Sequence, residues 1–180
     1  VNECCEGAES SMGIIAHGMI YNSLMRCLYN LGEASLYGEC RVPILNLNVT
    51  NPLVPEEIIL FLRDKKAVLI VEEGMPNLME EQIRAIAQRA RLGLDIFGKD
   101  ILPQAGEYTP DHIAKGVGQF LLKNTLSDYE KERIKERSEF TEKHKDRAAN
   151  FLKQPVTKRN PVFCTGCPER PIFTAIKILE

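Results

Sequence analysis

The sequence predicts a three-layer α/β/α fold on a mostly parallel sheet. Three observations lead there. Residues 67–71, Ala-Val-Leu-Ile-Val, form an unbroken apolar run closed by Gly74 and Pro76, the signature of a strand buried on both faces. From Met79 the period becomes helical: Met79, Ile83, Ile86 and Ala90 recur on one side, with Glu80, Glu81, Arg84, Gln88 and Arg91 on the other. The same switch from strand to helix repeats along residues 12–124. Such alternation means a sheet with helices on both faces and right-handed crossovers.

Taken in order, residues 1–10 are polar and carry no pattern. Residues 13–16 read as a strand, and His17-Gly18 as a turn. A helix follows with Leu24, Cys27, Leu28 and Leu31 on one stripe and Gly32 as its stop. Residues 44–47 are the second strand. The next helix starts at Pro55, where the missing N–H is harmless. Glu56 and Glu57 fall in its first turn and Lys65 and Lys66 are expected in its last, both favourable to the helix dipole. Ile58, Ile59, Phe61 and Leu62 face the core. After the strand at 67–71, Asn77 and Glu80 have the spacing of a capping box, and Gly93 is the expected helix stop. Residues 94–97 are a fourth strand and 100–102 a short, irregular fifth. Thr109 caps a last helix with Pro110 at its first position and Ile113, Val117, Phe120 and Leu121 as its stripe.

Residues 127–147 change character. Acidic and basic residues interleave, and apolar positions are few: Tyr129, Ile134, Phe140. This reads as a solvated helix joining two bodies. From Gln154 the chain becomes proline-rich and ends in a short apolar helix at 172–179. The chain begins at Val1, and we expect it to be a piece of a larger protein.

The chain has 180 residues, 44% of them hydrophobic, enough for a core of ordinary domain size. Lys and Arg total 23 and Asp and Glu 25, a formal charge of −2. That balance gives no electrostatic reason to expect nucleic acid or anionic lipid. No apolar run reaches the ~18 residues of a membrane span, and no signal peptide is visible, so the expected location is the cytoplasm. Six cysteines do not make a dense disulfide framework, and free thiols fit a reducing compartment.

Several motifs point to chemistry. Gly13 and Gly18 have P-loop spacing, but no Lys-Ser/Thr follows, which rejects a nucleotide P-loop. A helix start at Gly18 can receive an anion, though a tight turn explains the glycine as well. His17 has no role assigned. Glu72 and Glu73 lie at the carboxyl end of a strand, where sites of α/β proteins gather. A metal there would want another acidic residue at the end of the first strand, which ends instead in Ala16-His17. A hydrogen-bonding or interface role for one glutamate is the preferred reading.

Cys164-Thr-Gly-Cys167 is the sharpest signal. Two cysteines three apart can reach one metal or cluster, and Gly166 lets the backbone turn around it. A zinc ribbon needs a second pair, which is missing at a plausible spacing. A thioredoxin-type dithiol needs its own βαβ fold. A half-site completed by cysteines elsewhere fits better, and two unliganded thiols in a packed loop remain the alternative.

The chain resembles the alpha subunits of indolepyruvate:ferredoxin oxidoreductases. The matching stretches are Gly13-Ile-Ile-Ala-His-Gly-Met-Ile-Tyr-Asn22, Leu53-Val-Pro-Glu-Glu-Ile58, Val68-Leu-Ile-Val-Glu-Glu73, Glu80-Glu-Gln-Ile83, Phe97-Gly-Lys-Asp100 and Phe163-Cys-Thr-Gly-Cys-Pro-Glu-Arg170. They run in family order across most of the chain. The resemblance implies a transketolase C-terminal-like α/β domain over residues 12–124, a charged helical linker over 125–154, and the start of a thiamine-diphosphate-binding domain over 155–180. It implies oxidative decarboxylation of aryl 2-oxoacids such as indolepyruvate to acyl-CoA. The cofactors would be thiamine diphosphate with Mg2+ and a [4Fe–4S] cluster. The partners would be coenzyme A, ferredoxin and a beta subunit. It also implies that Cys164 and Cys167 are cluster ligands and that Glu169 lies near the thiamine cofactor. No residue of the chain is assigned a catalytic role. The family's segment often reads Cys-Pro-Gly-Cys-Pro-His-Arg-Gly where this chain has Cys-Thr-Gly-Cys-Pro-Glu-Arg-Pro, and the Gly-Asp-Gly…Asn segment that holds magnesium and diphosphate is not among the 180 residues. The competing reading is an α/β interaction or small-ligand module with a structural C-x-x-C loop.

Overall fold

The computed structural model describes residues 2–8, 11–125, 127–152, 167 and 169–179. They fall into two compact units, Val1–Lys143 and His144–Glu180.

The first unit is a five-stranded sheet between two helical layers. Its strands are β1 (Glu3–Cys5), β2 (Met12–His17), β3 (Ile44–Leu47), β4 (Ala67–Val71) and β5 (Asp95–Phe97). The sheet order is β1-β3-β2-β4-β5, with β1 antiparallel to β3 and every other pairing parallel. The β2–β4 register sets Met12 against Ala67 and Ala16 against Val71. All five residues of β4 are buried, as an apolar run covered on both faces must be. One layer holds α1 (Ile20–Leu31) and α4 (Pro110–Asn124), packed on Ile14, Ala16, Leu69 and Val71. The other holds α2 (Pro55–Leu62) and α3 (Leu78–Arg89), packed on Ile15, Leu45, Val68 and Ile70. This is the three-layer α/β/α arrangement with a mostly parallel sheet that the sequence predicts.

Most local signals act as expected. Gly32 takes φ +77° and ends α1, with the Glu33 N–H reaching back to the Leu28 carbonyl at 2.7 Å. Thr109 Oγ1 accepts the His112 N–H at the start of α4. Several expectations differ from the structure. Lys65 and Lys66 lie beyond α2, not in its last turn, because the Lys66 N–H is already bonded to the Ser11 carbonyl at the entry to β4. Gly93 does not stop α3; Arg91, at φ +55°, takes the left-handed position, and the Leu92 N–H bonds to the Ala87 carbonyl. Residues 100–102 are a turn, not a strand, with the Ile101 and Leu102 N–H groups both on the Gly98 carbonyl. Residues 3–5 form an edge strand where no pattern was visible.

The charged helix α5 (Asp128–Leu152) is less solvated at its start than its composition suggests. Ile134 is fully buried in the α1–α4 layer. Glu33, with its side chain fully buried, accepts Arg41 Nε and Arg133 Nη2, each at 2.5 Å. Arg137 Nη1 donates to the Asn30 carbonyl. The opening turns of α5 are therefore fastened to the end of α1. In the second unit, α6 (Arg170–Leu179) follows Glu169 directly. No described helix is long and apolar enough to cross a membrane.

Candidate functional site at the carboxyl edge of the sheet

Strand β2 connects to one side, to β3, and β4 connects to the other, to β5. Their outgoing connections diverge at the carboxyl ends, the usual ligand position in sheets of this kind. Strand β2 ends in His17, half-buried, and the loop after it carries Gly18 at φ +54° and exposed Met19. No side chain caps the start of α1. The loop after β4 carries Glu72, Glu73, Gly74 at φ +79° and exposed Met75.

The carboxylates of this edge are engaged. Asn77 does not cap α3; Glu72 does, its Oε1 accepting the Met79 N–H and its Oε2 the Glu80 N–H, both at 2.9 Å. A carboxylate at a helix N-terminus meets unpaired N–H groups and the positive end of the dipole. Glu80, expected on the solvent side of α3, is only 5% exposed. Its Oε1 accepts Arg84 Nε at 3.0 Å and Nη2 at 2.8 Å, and its Oε2 accepts the Lys99 N–H at 2.9 Å. Glycine at 98 makes this possible, since a Cβ there would stand 2.1 Å from Glu80 Oε2. Glu73 Oε1 accepts the Tyr108 N–H.

Lys99 and Tyr108, which the sequence did not single out, form the outer part of the network. Lys99 Nζ donates to Tyr108 Oη at 2.7 Å and to the Pro103 carbonyl at 3.3 Å, and lies 4.6 Å from the Tyr108 ring centroid. Burial pushes the Lys99 ammonium below its ordinary value, against the pull of Glu72, Glu80 and Glu73. Burial, then the Glu80, Glu72 and Glu73 charges, push the Tyr108 hydroxyl up to about 12. Each carboxylate here holds a backbone segment in place: Glu72 the start of α3, Glu80 the loop after β5, Glu73 the segment before α4. The arrangement is a charged platform whose three carboxylates are each engaged with backbone N–H groups.

One glutamate of the Glu72–Glu73 pair was expected to form hydrogen bonds; both do. Among the described residues, no three His, Cys, Asp or Glu side chains are grouped to hold a metal ion. At the opposite side of the sheet, a groove of about 450 Å³ lies between β1, β3 and α2, lined by Cys4, Leu45, Glu57, Leu60, Phe61 and Lys65 among others.

The residues predicted for the cluster and the cofactor fall in the second unit. Cys164 lies outside the described residues. Cys167 is half-buried, and its carbonyl accepts the Arg170 N–H at 3.2 Å. Glu169 is exposed, and its carbonyl accepts the Ile172 and Phe173 N–H groups, which start α6. Of the residues predicted for the cluster and the cofactor, the described part of this unit thus supplies one thiol, Cys167, and one carboxylate, Glu169. That donor set alone fits neither a four-iron cluster nor a magnesium–diphosphate group.

No family model matches the chain. Curated relatives match along nearly all of it. It is 31% identical over 173 residues to indolepyruvate oxidoreductase subunit IorA of Pyrococcus horikoshii, covering 96% of this chain and 24% of that protein. The values for the subunit of the same name from Thermococcus kodakarensis are the same, 31%, 96% and 24%. For that of Methanothermobacter thermautotrophicus they are 29%, 95% and 23%. The chain spans about a quarter of the length of these relatives. A solved 2-oxoglutarate:ferredoxin oxidoreductase from Magnetococcus marinus, with 2-oxoglutarate, coenzyme A and succinyl-CoA bound, superposes with a TM-score of 0.49 at 19% identity, over 67% of this chain and 20% of that one. A likeness of that size carries no argument about function.

Proposed function

The chain is homologous to a segment of indolepyruvate oxidoreductase subunit IorA, and from that premise we propose that it is a non-catalytic part of a 2-oxoacid oxidoreductase. The single observation that carries the proposal is an alignment over 95–96% of the chain with subunits of one name from several archaea. The parent activity in this reading is oxidative decarboxylation of aryl 2-oxoacids to acyl-CoA, with electrons passed to ferredoxin. It takes place with a beta subunit in the cytoplasm. Residues 12–124 act as the transketolase C-terminal-like spacer domain, 125–154 as the linker, and 155–180 as the opening of the thiamine-diphosphate domain.

In that parent, Cys164 and Cys167 supply two thiolates to a [4Fe–4S] cluster and other ligands come from elsewhere. The cluster and the thiamine diphosphate with Mg2+ would provide the electron-transfer and carbanion chemistry. Glu169, at the head of α6, stands beside the cofactor in this reading. No step is assigned to the carboxyl-edge network, whose carboxylates already hold backbone. Its role is to keep the spacer domain rigid.

Two measurements separate the segment from its parent. Calorimetry on the 180 residues with thiamine diphosphate and magnesium should show no heat of binding. The full-length protein with its beta subunit should reduce ferredoxin when given indolepyruvate and coenzyme A. Micromolar, magnesium-dependent cofactor binding by these residues alone would contradict the placement within the family, and an inactive full-length complex loaded with both cofactors would contradict the activity.

A further inference from the structure

The first unit holds a second group of thiols, separate in sequence from the C-x-x-C, and it bears no relation to the function proposed above. Cys5 and Cys40 both face the α1 side of the sheet. Cys5 Sγ lies 3.2 Å from Tyr21 Oη, and Cys40 Sγ lies 3.6 Å from Met25 Sδ. Tyr21 and Met25 are four residues apart on α1, hence one above the other on a single helix face. Cys40 is buried in the α1–α4 layer, and Cys5 is half-buried against the same cluster. The backbone brings the two segments together as well. Cys5 pairs with Ile44, and Gly7, two residues on from Cys5, forms a bridge with Cys40. Cys4 is exposed and lines the groove on the α2 side, so within β1 it points away from this pair.

We infer that Cys5 and Cys40 form a thiol–disulfide modification site, closed by a two-electron oxidant of the peroxide class. The protonation states suit a division of labour. Burial, then the charge of Cys5, pushes the Cys40 thiol up to about 11, so it stays protonated and does not attack first. Tyr21 Oη, 3.2 Å from Cys5 Sγ and pushed up to about 12 first by that hydrogen bond, keeps its own proton beside the attacking sulfur. Cys5 sulfur attacks one peroxide oxygen; the O–O bond breaks, one water leaves, and Cys5 becomes a sulfenic acid. Cys40 sulfur then attacks Cys5 sulfur. An S–S bond forms, the S–O bond breaks, and the hydroxyl departs as a second water with the Cys40 proton. Two thiols lose two electrons and the peroxide gains them. The bond ties the edge strand β1 to the chain entering β3.

The test is peptide mapping of the full-length protein after stoichiometric hydrogen peroxide and alkylation of the remaining thiols. Cleavage after glutamate places Cys4 and Cys5 in one peptide and Cys40 in another, apart from Cys27. The expected product is a Cys5–Cys40 cross-linked peptide that persists in Cys4→Ser and is missing from Cys5→Ser. In Cys40→Ser, Cys5 should be trapped as a sulfenic acid by dimedone. Recovery of Cys5 and Cys40 as alkylated thiols in the wild-type protein would overturn the inference. So would a cross-link lost in Cys4→Ser.

Discussion

Glu80 decides the geometry of the carboxyl edge. Its carboxylate is buried against Gly98 and joins α3 to the loop after β5 through Arg84 and the Lys99 N–H. A methyl group at 98 would have to displace it, and the carboxylate cannot swing away without abandoning those donors. Gly98→Ala should therefore cost about 1–3 kcal/mol, the range for overpacking a fixed site. Urea unfolding measures it; a loss below about 0.5 kcal/mol, the scale of an ordinary surface change, would show that Glu80 is free to move. Reading residues 78–91 as a helical wheel puts Glu80 outside, because a lone carboxylate costs free energy to bury. What brings it in is the Lys99 N–H from the loop after β5, together with Arg84 one turn on in the same helix; the wheel contains the arginine but not the backbone donor.

Titration at single residues also sets how stability responds to alkali. Burial pushes the Cys27 thiol up to about 12 and, with the Cys5 charge, the Cys40 thiol up to about 11, from an ordinary 9.0. Tyr108 rises from 10.0 to about 12. A group whose folded pKa is raised contributes stability that is complete below its unfolded value and is lost as pH climbs through the folded one. Stability should fall from about pH 9 for the thiols and about pH 10 for Tyr108. Lys99, lowered by burial, acts in the opposite direction. The urea midpoint should decline between pH 8 and 11, with a shallower slope in Cys27→Ala. A flat profile would mean that Cys27 and Tyr108 are not buried as described.

At the scale of elements, each helix rests on a stripe and an end. For α3 the stripe is Met79, Ile83 and Ile86, packed on Val68 and Ile70 with Ile83 fully buried. Ile83→Ala should cost ~2–5 kcal/mol, the range for deleting a buried aliphatic side chain. A chemical-denaturation shift under ~1 kcal/mol would place α3 off the sheet. The stripes of α1, α3 and α4 were legible because apolar spacing alone determines them. The ends were legible only where the cap lies within a few residues in sequence, as Thr109 and Gly32 do for α4 and α1. Glu72 caps α3 from seven residues upstream through the fold, and Arg91 takes a left-handed position that glycine usually fills. Neither carries a local signal. Strand β1 was illegible for another reason: two exposed residues and one half-buried one on a sheet edge show no period, and their pairing with β3 is decided some forty residues away.

At the scale of the molecule, the three-layer order followed from repeated strand-to-helix switches, and the homology with IorA subunits followed from motifs spread along the chain. The candidate site was legible only in part. One glutamate of the Glu72–Glu73 pair was expected to be a hydrogen-bonding or interface residue, whereas Lys99 and Tyr108 gain significance only when the loop folds over the sheet end. In the parent enzyme proposed above, this segment would give two thiolates to a cluster and hold no catalytic residue. The most direct test is iron analysis and indolepyruvate-dependent ferredoxin reduction of the full-length protein with its beta subunit, wild type beside Cys164→Ser/Cys167→Ser. The account predicts that the double variant loses the iron of one cluster and reduces ferredoxin more slowly. Unchanged iron content and an unchanged rate would contradict it and leave the C-x-x-C as a structural loop.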